Sequence, residues 1–153
     1  MQKPVSLIEK IAILIPGYAG YAERNARRQC DKLLRDSITG KIFSAEKSVT
    51  RDHLHNINAT AQDMNSWETC RKRLNTLNAR IRNAPYGEST FFSSSQIKED
   101  ELLEIYKKDL GILDHVNRLS ARIKETDAID LSLDIDEIEK QLEERNEYIR
   151  EFK

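Results

Sequence analysis

Residues 52–83 read DHLHNINATAQDMNSWETCRKRLNTLNARIRN. Within them Leu54, Ile57, Ala61, Met64, Trp67, Cys70, Leu74, Leu77 and Ile81 recur in steps of three and four, the period of one helix face. This stride predicts one helix from about Asp52 to Asn83, roughly 45–50 Å long at 1.5 Å per residue. Three successive three-residue steps around Trp67 interrupt strict heptad order and predict local overwinding. A break, if the rod has one, is expected at Asn65-Ser66. A rod with one apolar stripe must hide it, so the rest of the chain is expected to supply more rods.

It does so on both sides. Upstream, Pro4 suits a first helical turn, and Val5, Ile8, Ile11, Ala12 and Ile15 predict a short helix from about Pro4 to Leu14 that Pro16-Gly17 ends. A second helix starts near residues 18–22, with Ala22, Ala26, Cys30, Leu33, Leu34 and Ile38 inward. It is expected to reach about Thr39 and to bend or weaken past Gly40 towards Val49. Downstream, residues 84–96 (APYGESTFFSSSQ) form the one clear loop. A fourth helix is expected over Lys98–Lys124, with Leu102, Ile105, Tyr106, Leu110, Leu113, Val116, Leu119 and Ile123 inward. After an acidic connection at 125–134, a last helix covers about Asp134–Phe152, capped by Asp134 and Asp136. Its seam of Ile135, Ile138, Leu142, Ile149 and Phe152 is interrupted by Arg145. No strand pattern occurs. The fold class is all-α: an antiparallel bundle of about four long helices plus a short N-terminal helix, in a single domain over residues 1–153.

Composition agrees with that reading. The chain has 153 residues, 39% hydrophobic and 33% charged, with only 5 Gly and 3 Pro, too apolar for disorder and too polar for a membrane span. Cys30 and Cys70 lie on apolar faces with no CxxC spacing, as free buried thiols do, which points to a reducing, cytoplasmic setting. Charge is unevenly spread. Residues 1–83 carry 15 basic and 8 acidic side chains, a surplus of +7, and residues 84–153 carry 10 and 18, a surplus of −8. The basic half, the aromatic and serine-rich loop at 84–96 and the acidic half at 97–153 are expected to complement one another within one bundle, or between copies.

No catalytic, cofactor or metal residues emerge. A bundle di-iron centre needs inward Glu and two Glu-x-x-His pairs, and the sequence offers one Asp52-x-x-His55. His53 and His55 point about 200° apart on a helix and cannot chelate together; with His115 they read as surface residues. Asp130, Ser132, Asp134 and Asp136 alternate like a calcium loop but lack its sixth-position Gly. The Gly17-Tyr18-Ala19-Gly20 turn follows no strand and is not a phosphate loop.

Surfaces remain. Arg24, Arg28, Lys32 and Arg35 share one side of the second helix, and Glu23–Arg27 and Asp31–Arg35 are i,i+4 pairs. Phe91 and Phe92, with Tyr86 nearby, either form an exposed patch or fold back to plug the bundle end. The candidate interaction surface is therefore Tyr18, Tyr21, Arg24, Arg27, Arg28, Arg35, Tyr86, Phe91 and Phe92. The leading expectation is a non-enzymatic adaptor or structural protein that binds a protein partner, either another protein or a second copy of itself through the coiled-coil-like seam of the last helix. Alternatives are peripheral attachment to an anionic membrane through the N-terminal helix and the arginines, and an enzyme with an unrecognised site. Nucleic acid ranks below these, because no recognition motif accompanies the basic face.

Two segments carry a resemblance. One is Pro16-Gly17-Tyr18-x-Gly20-Tyr21 followed by Arg24, Arg27, Arg28, Asp31, Leu34 and Arg35. The other is Tyr86-Gly87, Phe91-Phe92, Ile97, Glu101, Leu102, Ile105, Tyr106 and Asp109. Together, over about half the chain, they resemble a group of small uncharacterised bacterial helical proteins. Glu88-Ser89-Thr90 departs from the glycine-rich loop of that pattern. The resemblance implies no activity. It implies that the Tyr/Gly turn, the Arg/Asp helix and the aromatic loop form one surface or one packed corner.

Overall fold

The computed structural model describes residues 3–153, which form five helices and no strand. Helix α1 spans Pro4–Leu14, with Pro4 in its first turn. The chain leaves it through Gly17 and Gly20, both at positive φ (93° and 88°), where a side chain is strained. At Gly20 a Cβ would also lie 2.4 Å from the Tyr106 hydroxyl, so the turn and helix α4 approach too closely for any other residue. A short 3₁₀ turn, Arg24–Ala26, leads into α2, Arg27–Val49. The second helix thus begins later than expected near 18–22. It also runs straight through Gly40, because Ile38, Ile42, Ala45 and Val49 continue one buried stripe and that stripe outweighs the roughly 1 kcal/mol propensity penalty of one glycine.

The long rod expected from Asp52 is shorter. After α2 comes a wider π-helical turn at Thr50–Leu54, and the chain then leaves helix until α3, Ala61–Arg82. Asn56 Oδ1 accepts from the Asn58 N–H at 3.0 Å, and Thr60 Oγ1 accepts from the Asp63 N–H at 3.1 Å. Side-chain bonds of this kind offer the backbone an alternative to helix and then cap a new one. Ile57 is 96% exposed and Ala61 and Met64 are exposed, so the stride through 57–64 does not mark a core face, while Leu54 still packs on the core. No break falls at Asn65-Ser66.

Helix α4 spans Glu99–Arg122, its start fixed by Glu101 Oε1 accepting from the Lys98 N–H at 3.0 Å. Helix α5 spans Ala128–Arg150. It starts ahead of the expected Asp134 because Asp127 caps it, accepting from the Asp130 N–H at 2.7 Å. In α1 the inward residues are Leu7 and Ile11, while Val5, expected inside, is exposed.

Cross-bonds give the topology. Arg35, Thr39 and Glu46 of α2 meet Arg82, Asn78 and Arg71 of α3, an antiparallel hairpin. Arg122 and Asp109 of α4 meet Asp134 and Arg145 of α5, a second one. The hairpins lie side by side, α2 on α4 and α3 on α5. Arg73 and Arg80 of α3 reach Asp136 and Glu143 of α5 in the same order along both chains, so this pair runs parallel. Helix α1 packs on α4. The halves therefore complement each other internally: Arg73 bonds Asp136 (2.5 Å) and Glu139 (2.9 Å), and Arg80 lies 3.7 Å from Glu143. Such partly exposed pairs contribute about 0–1 kcal/mol each.

At one bundle end His53 stacks on Trp67, ring centroids 3.5 Å apart, with Nε2 2.6 Å from the Ile123 carbonyl. His53 is thus a half-buried packing residue; His55 alone of the three histidines is exposed. The other end gathers the 15–26 turn, the start of α2, the end of α3, the 84–98 loop, the start of α4 and the end of α5.

Candidate functional site

At that second end, three helices carry a charged residue in the register of their core stripes: Asp31 on α2, Asp109 on α4 and Arg145 on α5. All three are buried. Arg145 Nε donates to Asp109 Oδ1 at 2.6 Å, and its Nη2 donates to Asp31 Oδ1 and to the Tyr21 hydroxyl, both at 2.9 Å. Its Nη1 donates to the Tyr86 hydroxyl. The Tyr18 and Tyr21 hydroxyls donate to Asp109 Oδ2 at 2.7 and 2.5 Å. Arg35, half-buried, donates through Nε to Asp31 Oδ2 at 2.9 Å. Two carboxylates thus face two guanidiniums, and the charge balances.

Titration follows from this geometry. Burial pulls Arg145 down, but Asp109, Tyr21, Tyr86 and Asp31 outweigh it and raise it well above the ordinary arginine value. Burial, then the Asp109 charge, raises Tyr18 and Tyr21 far above 10. Burial pushes Tyr86 and the Cys30 thiol up to about 12. The phenols and the thiol are held neutral, and Cys30 has no thiolate to use as a nucleophile. Asp109 and Arg145 are 0% and 1% exposed. The ionic cluster is interior and filled; what its geometry does is lock α2, α4, α5 and both loops together.

Arg27 is a second buried guanidinium, held by carbonyls and not by Glu23 as the i,i+4 spacing predicted. It donates through Nε to Tyr21 O (2.7 Å), and through Nη1 to Phe91 O (3.1 Å) and Ser94 O (2.6 Å). The aromatic loop folds inward. Phe91 lies 5.2 Å from the Tyr21 ring and 5.5 Å from Phe152, centroid to centroid. The Ser89 and Thr90 hydroxyls donate to the Ile149 and Phe152 carbonyls, satisfying the end of α5.

Of the nine residues proposed as a surface, the structure brings all to this corner but buries most. Tyr18, Tyr21, Arg27 and Phe91 are interior. This corrects the reading of these four as contact residues: their polar ends bond inward and their rings close the core. Arg24 and Arg28 are exposed, Arg35 is half-buried, and Tyr86 and Phe92 show only an edge. Those edges line a cleft of about 400 Å³ with Arg28, Asp31, Lys32, Arg35, Arg82 and Gly87. A second recess, holding Arg24, Asn25 and Ser93, shares Arg28 and Phe92 with it. Sequence reasoning missed Arg82; its signal was its place in the last turn of α3, just before a Pro-Tyr-Gly loop that must fold back. It also passed over Asp109 and Arg145 as a site, although both interrupt apolar strides.

Among the described residues no cluster of three or more His, Cys, Asp or Glu is placed to hold a metal ion, and no helix is long and apolar enough to cross a membrane. No protein-family model, curated protein or solved structure matches the chain.

Proposed function

We propose that this protein is a non-enzymatic helical interaction module that engages an acidic segment of a protein partner through the basic corner. The observation that carries the reading is the distribution of unpaired arginines. Eight arginines (35, 51, 71, 73, 80, 122, 145 and 150) have a carboxylate within 4 Å. Among the described residues, those without one are Arg24, Arg27, Arg28, Arg82 and Arg118; Arg27 is interior, and three of the other four crowd the cleft and its neighbouring recess. Like charges left together on a rigid surface favour an anionic partner.

The test is affinity capture from native lysate with quantitative mass spectrometry. Wild type is compared with the triple variant Arg24→Glu, Arg28→Glu, Arg82→Glu and with Arg118→Glu. The reading expects a partner retained by wild type and Arg118→Glu, lost by the triple variant and released by salt. Identical partner lists for all three proteins would end it. Peripheral membrane attachment is less favoured, since Leu7 and Ile11 of α1 face the core and Glu9 and Lys10 lie on its exposed side.

A further inference from the structure

We propose that the cleft between α2, the end of α3 and the 84–92 loop is a binding site for a phosphate monoester group. The inference rests on the reading that this corner is the binding face, and it names the chemistry of the anchor.

Two guanidiniums in the cleft are already held in place. Arg28 lies over the Phe92 ring, 4.7 Å from its centroid. Arg35 is fixed by Asp31 through Nε and by the Arg82 carbonyl through Nη1, at 2.9 and 3.1 Å, which leaves its Nη2 free. Side chains ordered before binding lose less entropy on binding, and the planar guanidinium fork matches the oxygens of phosphate. The one carboxylate in the wall, Asp31, is engaged on both oxygens, Oδ1 by Arg145 and Tyr86 and Oδ2 by Arg35. It is neutralised from behind and does not act as a free repelling charge. Gly87, at φ 60°, has open space where a Cβ would stand, so the rim admits a ligand.

Charge selects the anion. Arg35 is balanced by Asp31, and Lys32 by Asp36 at 3.0 Å. Arg28 and Arg82 remain, two uncompensated positive charges facing one cleft. A carboxylate would neutralise one; a phosphate monoester, whose second proton leaves near pH 6, carries nearly two negative charges at pH 7. The cleft volume falls within the range of small-ligand sites. A phosphorylated side chain of the partner and a small phosphate ester present the same group.

The experiment uses the full ¹⁵N-labelled chain, reading backbone amides and arginine Nε signals at constant ionic strength. The probes are inorganic phosphate, glycerol phosphate, a Gly-Gly-phosphoserine-Gly-Gly peptide and acetate. Saturable shifts centred on Arg28, Arg35, Arg82 and Gly87 are expected for the three phosphates. The phosphopeptide should bind at least threefold tighter at pH 7.5 than at pH 5. Arg28→Ala and Arg82→Ala should each weaken binding about tenfold, and Arg118→Ala should leave it unchanged. Peptide tighter than glycerol phosphate assigns the group to a phosphorylated side chain, and the reverse assigns it to a small ester. Acetate shifts equal to those of phosphate, or unsaturable shifts spread over the surface, overturn the proposal. Partner loss in the triple variant without phosphate shifts leaves the interaction module standing and removes this site; phosphate shifts with an unchanged partner list do the opposite.

Discussion

Replacing Arg145 by Met keeps an unbranched stem of similar reach and deletes the central cation of the buried cluster. The structure sets the consequence. Asp31 keeps Arg35 at 2.9 Å, so its charge stays paired. Asp109 keeps only the Tyr18 and Tyr21 hydroxyls and loses its single cationic partner, held at 2.6 Å. Removing one member of a buried ion pair typically costs about 3–5 kcal/mol, because the other charge is stranded. Total stability of such domains is about 5–15 kcal/mol, and 1 kcal/mol moves the melting temperature of a chain this size by about 2–4 °C. Arg145→Met should therefore lower Tm by about 10 °C and shift the urea midpoint, followed by far-ultraviolet circular dichroism. The double variant Arg145→Met, Asp109→Leu strands no charge and should regain at least about 2 kcal/mol of the loss. A single-variant loss under about 1 kcal/mol, or a double variant no better than the single, would refute the view that this pair balances a buried charge.

Arg27→Lys replaces a fork that reaches the Tyr21, Phe91 and Ser94 carbonyls with a point donor; it should cost about 2 kcal/mol and speed hydrogen exchange of the amides at 90–94, which Arg27 anchors through Phe91 and Ser94. Gly20→Ala should destabilise by more than about 1 kcal/mol, since its φ is 88° and its Cβ would strike Tyr106. Gly40→Ala, in a helix with nothing within 4 Å of the new Cβ, should instead stabilise by about 0.5–1 kcal/mol; thermal melts of the two variants moving in the same direction would count against both assignments. All five tyrosines are raised above pH 10 in the fold, chiefly by burial. The unfolded chain releases those protons near pH 10 while the fold retains them, so stability is intact below pH 10 and falls above it, by about 1.4 kcal/mol per pH unit per tyrosine. Ultraviolet absorbance should show tyrosinate appearing late and together with unfolding; a smooth titration at pH 10 in folded protein would contradict the burial.

Helix content was legible where stripe and boundary signals agreed. In α4 the expected Ile105, Tyr106, Leu113, Val116 and Leu119 are buried, Leu102 and Leu110 are half-buried, and Asp109 and Ile112 join the core unexpected, while Trp67, Cys70, Leu74, Leu77 and Ile81 of α3 are all buried. The failure at 55–60 has a local cause: Ile57 and Ala61 happen to extend the stride, while the Asn56 and Thr60 side chains accept from the Asn58 and Asp63 backbone N–H groups and turn the chain out of helix. Asp127 was passed over as a cap because Asp134 and Asp136 offered the same chemistry further on. The candidate corner was legible as a place but not as an arrangement. Whether Arg27 faces water or carbonyls depends on a loop more than sixty residues away, and sequence spacing carries no such information. The usable signal was that Asp31, Asp109 and Arg145 each occupy a core position, so opposite charges on separate helices had to meet.

That placement also bears on how one bundle is chosen over others. Stripes of Leu and Ile on several helices can be satisfied by more than one circular order, since hydrophobic burial is not directional. A buried guanidinium is directional. Arg145 needs two carboxylates and two phenols at once, supplied by α2, α4 and both loops. Any order or register that separates them strands at least one charge at several kcal/mol. The same bonds fix the back wall of the cleft, because Asp31 and Tyr86 are members of the buried cluster and lining residues together. Arg35 is held in turn by Asp31. The surface donors are therefore positioned by the residues that specify the fold: Arg145 holds Asp31 through Oδ1, and Asp31 holds Arg35 through Oδ2.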